Sequence, residues 1–462
     1  MAAISAGSVA RPETSVFTDP GRNVYGNPWL AHVPWRASVQ CSRVAEHLMN
    51  RQASRPRSSE NMPNVKNTVR AGEVLGIVIA GAAARGAYAA GALAHLAPTI
   101  KSYERVVIVG TSSGAVNAAL LAQSAHDVPQ KIAADLTDAW RKIDSRKVFN
   151  PILSALTLAR RAPGFFFSPR ITSIADTAPL RRTAQDLYRP GQVAQNVSKG
   201  YPEAVGVVAT LCQQDGTGGR SRVFLHSNSP APQVAAGGAL DYVRTPLNYK
   251  HVIASSAIPV FFPPEKIDTQ GAAGFYIDGG VRLNTPIKPV LDLGATRVMI
   301  ISSHATDYPP PPAGPTGRAP DVLSTGAQSL NAVLGDAMIE DIGNLRRVNH
   351  LVKLAGNKAI SPSGNLYKRI RFLLVSPGSG QLAGMAATIF RNRYRGLRAI
   401  SPLGYLRDTD YHALGLLQTV LPFLRIGGDD RELLSFLLFD PQYIGDQIQL
   451  GEAQAGAASW QY

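Results

Sequence analysis

Ser112 sits at the centre of Gly110-Thr111-Ser112-Ser113-Gly114, the one Gly-x-Ser-x-Gly in the chain. A short β-branched run, Val106–Val109, precedes it, and the helix-forming stretch Ala115–Gln123 follows. A serine on a sharp strand-to-helix turn is a nucleophile elbow, which holds its hydroxyl clear of the sheet. Gly110 and Gly114 supply the room that such a turn needs. The helix opening at Ser113 aims unpaired N–H groups and a positive dipole end at the serine. The chemistry that fits is acyl transfer through a covalent serine intermediate. Ser113 is out of register for attack and is expected to cap the helix.

Two further segments could serve that serine. Gly81-Ala82-Ala83-Ala84-Arg85-Gly86 follows the buried run Val74–Ala80 and precedes helix-forming Ala87–Leu96. A small-residue turn between strand and helix presents backbone N–H groups to an anion. It lacks the Gly-Lys-[Ser/Thr] of a phosphate loop, and Ala83 breaks a dinucleotide Gly-x-Gly-x-x-Gly, so an oxyanion hole is the better reading. Asp278-Gly279-Gly280 follows Phe275-Tyr276-Ile277 and sets a carboxylate at a strand's end. A plain Asp-Gly turn would look the same. The order Ser…Asp…His of a catalytic triad would be met by His304, His350 or His412, but each lies in a surface or helix-end context, so a Ser–Asp pair is preferred.

Taken together, GAAARG, GTSSG and DGG in this order resemble the patatin-like phospholipase family, lipid acyl hydrolases with a Ser–Asp dyad. Ala254-Ser-Ser-Ala-Ile-Pro-Val-Phe-Phe-Pro-Pro264 is similar to the family's A-S-x-A-x-P-x-x-F-P-P stretch. Tyr276-Ile-Asp-Gly-Gly-Val-Arg-Leu-Asn-Thr-Pro286 is similar to its aspartate loop. The resemblance covers about residues 73–302 and thins to a bacterial-type tail around Phe436–Gly451. It implies Ser112 as nucleophile and Asp278 as base. It also implies an oxyanion hole in the backbone of Gly81, Ala82, Ala83, Ala84, Arg85 and Gly86, with Arg85 at the family's basic position. Gly110 and Gly114 would form the elbow, and Gly279 and Gly280 the aspartate loop. No metal or cofactor is implied. The family usually carries Gly-Gly-Gly where this chain has Ala82 and Ala83. Alanine keeps the N–H donors, but its Cβ resists φ > 0 and crowds a bound headgroup. An aspartate near its ordinary pKa of ~3.9 is a poor base for a serine. Asp278 is therefore expected to be shielded from water with a raised pKa.

Two strand–Gly turn–helix units about thirty residues apart mean a parallel α/β sheet with right-handed crossovers. Further strands are expected at Ala204–Leu211, Arg222–His226, Gly274–Ile277 and Thr296–Ile301, another at Arg369–Val375, and helices at Asp321–Leu354 and Arg431–Phe439. The expected fold is a patatin-like three-layer α/β arrangement, its mostly parallel central sheet flanked by helices, with a mainly helical C-terminal extension. The expected organisation is a disordered tail over 1–72, a catalytic domain over 73–302, a Pro-rich connector over 303–320 (Tyr308–Pro320 is YPPPPAGPTGRAP) and the extension over 321–462.

The chain has 462 residues, 45% hydrophobic and 17% charged, a globular composition. Cys41 and Cys212 are too few for a disulfide framework or a zinc cluster. Apolar stretches such as Val74–Ala84 fall well short of the ~20 residues of a membrane span. The first thirty residues lack a basic-then-apolar signal pattern. A cytoplasmic protein with peripheral membrane contact is expected.

Forty-seven Lys and Arg against thirty-two Asp and Glu leave +15, a field that favours polyanions. The segment Trp140–Arg189 alone holds ten basic and three acidic residues beside Trp140 and Phe165-Phe166-Phe167. Two expectations stand for it: a basic, aromatic lid or docking surface for anionic phospholipid, through Arg160, Arg161, Arg181 and Arg182, or an ordinary solvated helical pair with its aromatics in the core. The run Arg391–Arg398 reads as a solvated cluster. The substrate expected is a phospholipid or other acyl-ester lipid. Two other readings stay open: an impaired relative that only binds lipid or a partner, and a basic nucleic-acid binder. Against the latter, the charge is spread over three segments and no nucleic-acid motif is present.

Overall fold

The computed structural model describes residues 72–148, 178–213, 219–233, 238–259, 261–307, 322–356, 366–400 and 431–462, with single positions at 310, 358, 360, 408, 411 and 414. Residues 1–71 of the N-terminal tail, Arg160, Arg161, Phe165–Phe167, His412 and residues 308–309 and 311–320 of the Pro-rich connector lie outside the described residues.

Among the described residues ten strands build one sheet: β1 (Val74–Ile79), β2 (Arg105–Thr111), β3 (Ala204–Leu211), β4 (Arg220–Ser227), β5 (Leu240–Arg244), β6 (Glu265–Ile267), β7 (Gly274–Asp278), β8 (Arg297–Ile301), β9 (Arg371–Val375) and β10 (Trp460–Gln461). The helices are α1 (Gly86–Lys101), α2 (Ser113–Gln123), α3 (Pro129–Arg141), α4 (Ser145–Val148), α5 (Ala178–Leu187), α6 (Pro190–Ser198), α7 (Tyr249–Ser255), α8 (Gly280–Leu283), α9 (Ile287–Asp292), α10 (Val322–Leu354), α11 (Gln381–Tyr394), α12 (Arg431–Leu437) and α13 (Pro441–Ala457).

The sheet order is β10-β9-β8-β1-β2-β3-β4-β5. From β9 through β3 all neighbours are parallel. Such strands are covered on both faces, which is why β1 reads as an unbroken apolar run with no alternation. Its pleat still sorts the side chains. Leu75, Ile77 and Ile79 join the core beneath α1, α2 and α3. Val74 and Val78 join a second core with Ile287 and Val290 of α9 and Met338 and Ile342 of α10. The result is a helix–sheet–helix sandwich, as expected from the sequence.

One departure from parallel order positions the chemistry. β2 runs beside β3 until Thr111 pairs with Val208. There β2 ends, and β7 arrives along the same edge from the opposite direction, pairing Asp278 with Ala209. The carboxyl ends of β2 and β7 thus meet head to head. The C-terminal region is largely helical, as expected, and it also completes the sheet: β9 pairs in register with β8 from Arg371 to Val375.

Candidate active site

Ser112 stands between β2 and α2 with φ +56° and ψ −127°. A non-glycine residue holds a positive φ only when its surroundings over-determine it. The surroundings do so here. A Cβ on Gly110 would lie 2.2 Å from the Gly114 carbonyl oxygen, and one on Gly114 would lie 2.2 Å from the Ile79 carbonyl oxygen. The turn is therefore closed against β1 by two residues that can only be glycine. The Ser112 N–H donates to Ser255 Oγ at 2.8 Å, and that hydroxyl donates to the Val208 carbonyl at 2.5 Å.

Asp278 is buried, and its carboxyl lies close enough to the Ser112 hydroxyl for that hydroxyl to lower its pKa. Its backbone N–H donates to Ala257 O at 2.8 Å, and Gly279 N–H to Ser255 O at 3.3 Å. The Ala254–Pro264 stretch is thus a bracket that grips Ser112 through one residue and the aspartate loop through two. Burial pushes the Asp278 carboxyl up to about 7; the nearby Ser112 hydroxyl and the Gly280 N–H, which donates at 2.6 Å, pull the other way and lose. The expectation of a shielded, weakened acid is met.

The Gly81–Gly86 loop is held from three sides. Asn284 grips Gly81 twice, its Oδ1 accepting the Gly81 N–H at 3.0 Å and its Nδ2 donating to the Gly81 carbonyl at 3.1 Å. His304 Nε2 lies 3.2 Å from the same carbonyl. The Ala82 N–H donates to Ser113 Oγ at 2.9 Å. Ser113 therefore makes no cap; it ties the loop to the elbow, and Ser112 itself occupies the N-cap position. With Gly81 and Ala82 spent on these bonds, the Ala83 N–H is left without an acceptor among the described residues, and Ala83 lines the same cavity as Ser112. Ala83 takes φ +48°, so one of the two alanines that replace glycine does sit in the left-handed region.

Arg85 is buried but turned to other work. Its guanidinium bonds Ser435 at 2.9 Å, pairs with Glu432 and lies 4.1 Å over the Phe436 ring. It thereby pins α12 against the loop. Of the two readings of its segment, Trp140 takes the core one: its Nε1 donates to Asn117 Oδ1 at 2.7 Å, and Asn117 Nδ2 donates to the Gly86 carbonyl at 2.9 Å. Arg181 is forked to the buried carboxylate of Glu265. Of the candidate triad histidines, His350 is exposed on α10, while His304 is buried against the loop instead of lying on the surface.

Ala83, Ser112 and Ser113 line a cavity of about 510 Å³. Its remaining walls are mostly aliphatic and aromatic: Leu120 of α2, Leu180 and Leu187 of α5, Phe262, and Leu434 and Phe436 of α12. The cavity thus has its hydroxyl and its backbone donor beside an apolar chamber.

Residues 77–291 match the family model described as Patatin-like phospholipase. The chain carries a patatin-like phospholipase domain. No curated protein matches the sequence. Among solved structures the chain is similar to VipD from Legionella pneumophila, at 14% identity and a TM-score of 0.28. That match covers 75% of this chain and 66% of VipD, so the chain spans just under two thirds of the other's length. Within the patatin-like domain lie Ser112, Asp278, the Gly81–Gly86 loop and Asn284; His304 and Arg85's partners lie beyond its C-terminal end. Among the described residues no group of three or more His, Cys, Asp or Glu is placed to hold a metal, and no helix is long and apolar enough to cross a membrane.

The sequence did not single out Asn284 or Ser255, and it read His304 as a surface histidine. Asn284 and Ser255 lie inside the two family-like stretches, and that was the available signal. The bonds that give them work join Gly81 to Asn284 and Ser112 to Ser255, 203 and 143 residues apart.

Proposed function

We propose that this protein is a serine lipid acyl hydrolase that cleaves acyl esters of phospholipids or lysophospholipids through a Ser112–Asp278 dyad. The observation that carries the reading is Ser112, at the wall of an apolar cavity, brought by sheet register beside a buried carboxyl whose pKa is raised to about 7. The acyl chain occupies the cavity and brings its ester carbonyl to Ser112. Asp278 takes the hydroxyl proton as Oγ bonds the carbonyl carbon. Negative charge then gathers on the carbonyl oxygen, where the Ala83 N–H and the amino end of α2 stabilise it; one such donor is worth roughly 3–4 kcal/mol. Asp278 returns the proton to the departing alcohol oxygen, leaving an acyl-serine. Water attacks that ester with Asp278 again accepting a proton, and fatty acid leaves. The cavity volume suits one acyl chain, with the headgroup outside, in keeping with a cytoplasmic enzyme acting at a membrane surface.

The test is fatty-acid release from mixed anionic and zwitterionic liposomes by wild type and Ser112→Ala. Release that vanishes in the variant supports the reading. Equal release from both removes Ser112 as nucleophile. Lipid binding without release from either would favour a binding-only relative, the reading that Ala82 and Ala83 keep in view.

A further inference from the structure

Residues 342–407 contain twelve Lys and Arg and not one Asp or Glu. The same stretch carries large apolar side chains in water. Leu397 is 88% exposed and Ile400 61%, on the short turn of helix Gly396–Ile400 that follows α11. Arg391 and Arg398 are exposed beside them and Arg395 half-buried. Arg393 is tied to Asp440 and so belongs to the scaffold.

This knuckle stands next to the cavity. Tyr394, the last residue of α11, packs its ring 5.4 Å from that of Tyr411, and Tyr411 lines the cavity. Asp408 draws a second basic group alongside. It accepts from Tyr394 OH at 3.3 Å and from Ser145 Oγ at 3.4 Å, joining α4 to the end of α11. Around Ser145 the chain alternates between cavity wall and water: Ile143 and Val148 line the cavity, while Lys142, Arg146 and Lys147 are exposed. Apolar side chains projecting from a ring of bases are the pattern of an interfacial anchor, in which the apolar groups enter the acyl boundary and the bases meet anionic headgroups.

We propose that Leu397 and Ile400, with Arg391, Arg395, Arg398, Arg146 and Lys147, dock the protein on an anionic lipid surface and set the cavity beside its substrate. The inference rests on the lipid-hydrolase reading only for the benefit of docking; the binding itself is independent of turnover. A second exposed apolar and basic group, Leu351, Leu354 and Leu366 with Lys353, Lys358 and Lys368, stands where β9 begins, at the amino ends of the parallel strands. That edge is opposite the one that bears Ser112, so a surface bound there would leave the cavity facing away.

The experiment measures sedimentation of the Ser112→Ala protein with phosphatidylcholine vesicles, with and without about one third phosphatidylglycerol. Leu397→Ser/Ile400→Ser and Arg391→Ser/Arg395→Ser/Arg398→Ser are each expected to lower partitioning onto the anionic vesicles at least tenfold, since each base near such a surface contributes several-fold. Lys353→Ser/Lys358→Ser/Lys368→Ser is expected to bind as the parent does. In the background with Ser112 intact, the knuckle variants should keep full activity on a short soluble ester while losing it on vesicles. Unchanged partitioning in the knuckle variants, or loss in the lysine variant instead, overturns the proposal. So does equal binding of the parent to neutral and anionic vesicles. Absence of soluble-ester activity in the intact protein would sink the hydrolase reading while leaving the sedimentation result to decide docking.

Discussion

Ser112 and Asp278 stand at the carboxyl ends of two strands that approach each other along one edge of β3, Thr111 pairing with Val208 and Asp278 with the next residue, Ala209. The hydroxyl and the carboxylate are therefore adjacent by sheet register and not by the reach of long loops. Groups positioned by paired backbone are held more closely than groups on free loops. Ser255 and Ala257 of the bracket then remove the remaining freedom, through three bonds to Ser112, Asp278 and Gly279.

Raising the Asp278 carboxyl to about 7 has consequences for rate and for stability. The base acts only when ionised. kcat/KM on a soluble ester is thus expected to rise with pH through about 7 and then level, and a profile flat above pH 5 would remove Asp278 as the base. The stability effect has the opposite sign. Between the ordinary carboxylate pKa and 7 the folded chain holds a proton that the unfolded chain has released, so this group's contribution falls as pH rises across that window. Asp278→Asn should therefore raise the melting temperature at pH 8, by an amount equivalent to about 4 kcal/mol at most, and change it little at pH 4. Activity should be lost at both.

Asn284 holds Gly81 by both its N–H and its carbonyl, and so fixes the peptide that precedes the free Ala83 N–H. Asn284→Ala leaves these groups unpaired in a buried place. The expected result is a fall in kcat on a soluble ester of about 100-fold, the size seen when an oxyanion donor is lost, with KM nearly unchanged. Steady-state kinetics separate the two parameters. A rise in KM with kcat intact would mean that Asn284 shapes binding and not the oxyanion site.

Ala83 and Ala84 offer a paired test of the loop's backbone. A left-handed conformation costs a non-glycine residue roughly 1–2 kcal/mol, against about 0.4–1 kcal/mol for the extra freedom glycine gains on unfolding. Ala83, at φ +48°, should thus become Gly at no loss, with a gain of up to about 1.5 kcal/mol. Ala84, wholly buried in the short helical turn, should lose about 1 kcal/mol on the same change. Denaturant melts of the two variants decide. Destabilisation by Ala83→Gly would show that the Cβ is itself a needed packing group.

How much of this was open to sequence reading follows from the range of each interaction. The elbow and the aspartate turn are local: strand, glycine and helix signals stand within a few residues of Ser112, and the Asp-Gly-Gly run follows its own strand. Most of the strands were legible for the same reason, as unbroken β-branched runs. The antiparallel entry of β7 was not, because the residues that pair it with β3 carry no mark of direction. Arg85 stood in the expected loop, but its partners Glu432 and Ser435 come from nearly 350 residues away and turn its charge into a pin for α12. Trp140 was ambiguous because an aromatic amid basic residues looks the same in sequence whether it faces lipid or, as here, props Gly86 through Asn117.

The cavity makes chain length a measurable property of the site. Each methylene buried in an apolar chamber contributes about 0.8 kcal/mol, or roughly a fourfold step in affinity. kcat/KM on a series of soluble acyl esters should therefore climb about fourfold per methylene and then stop where the 510 Å³ are filled. Leu180 of α5 lines the chamber and is only partly buried, so Leu180→Trp can intrude without displacing the sheet. It should move the plateau to shorter chains and leave a butyryl ester unaffected. A uniform loss at every length would instead mean that α5 supports the dyad, and a series with no dependence on length would mean that the acyl chain lies elsewhere.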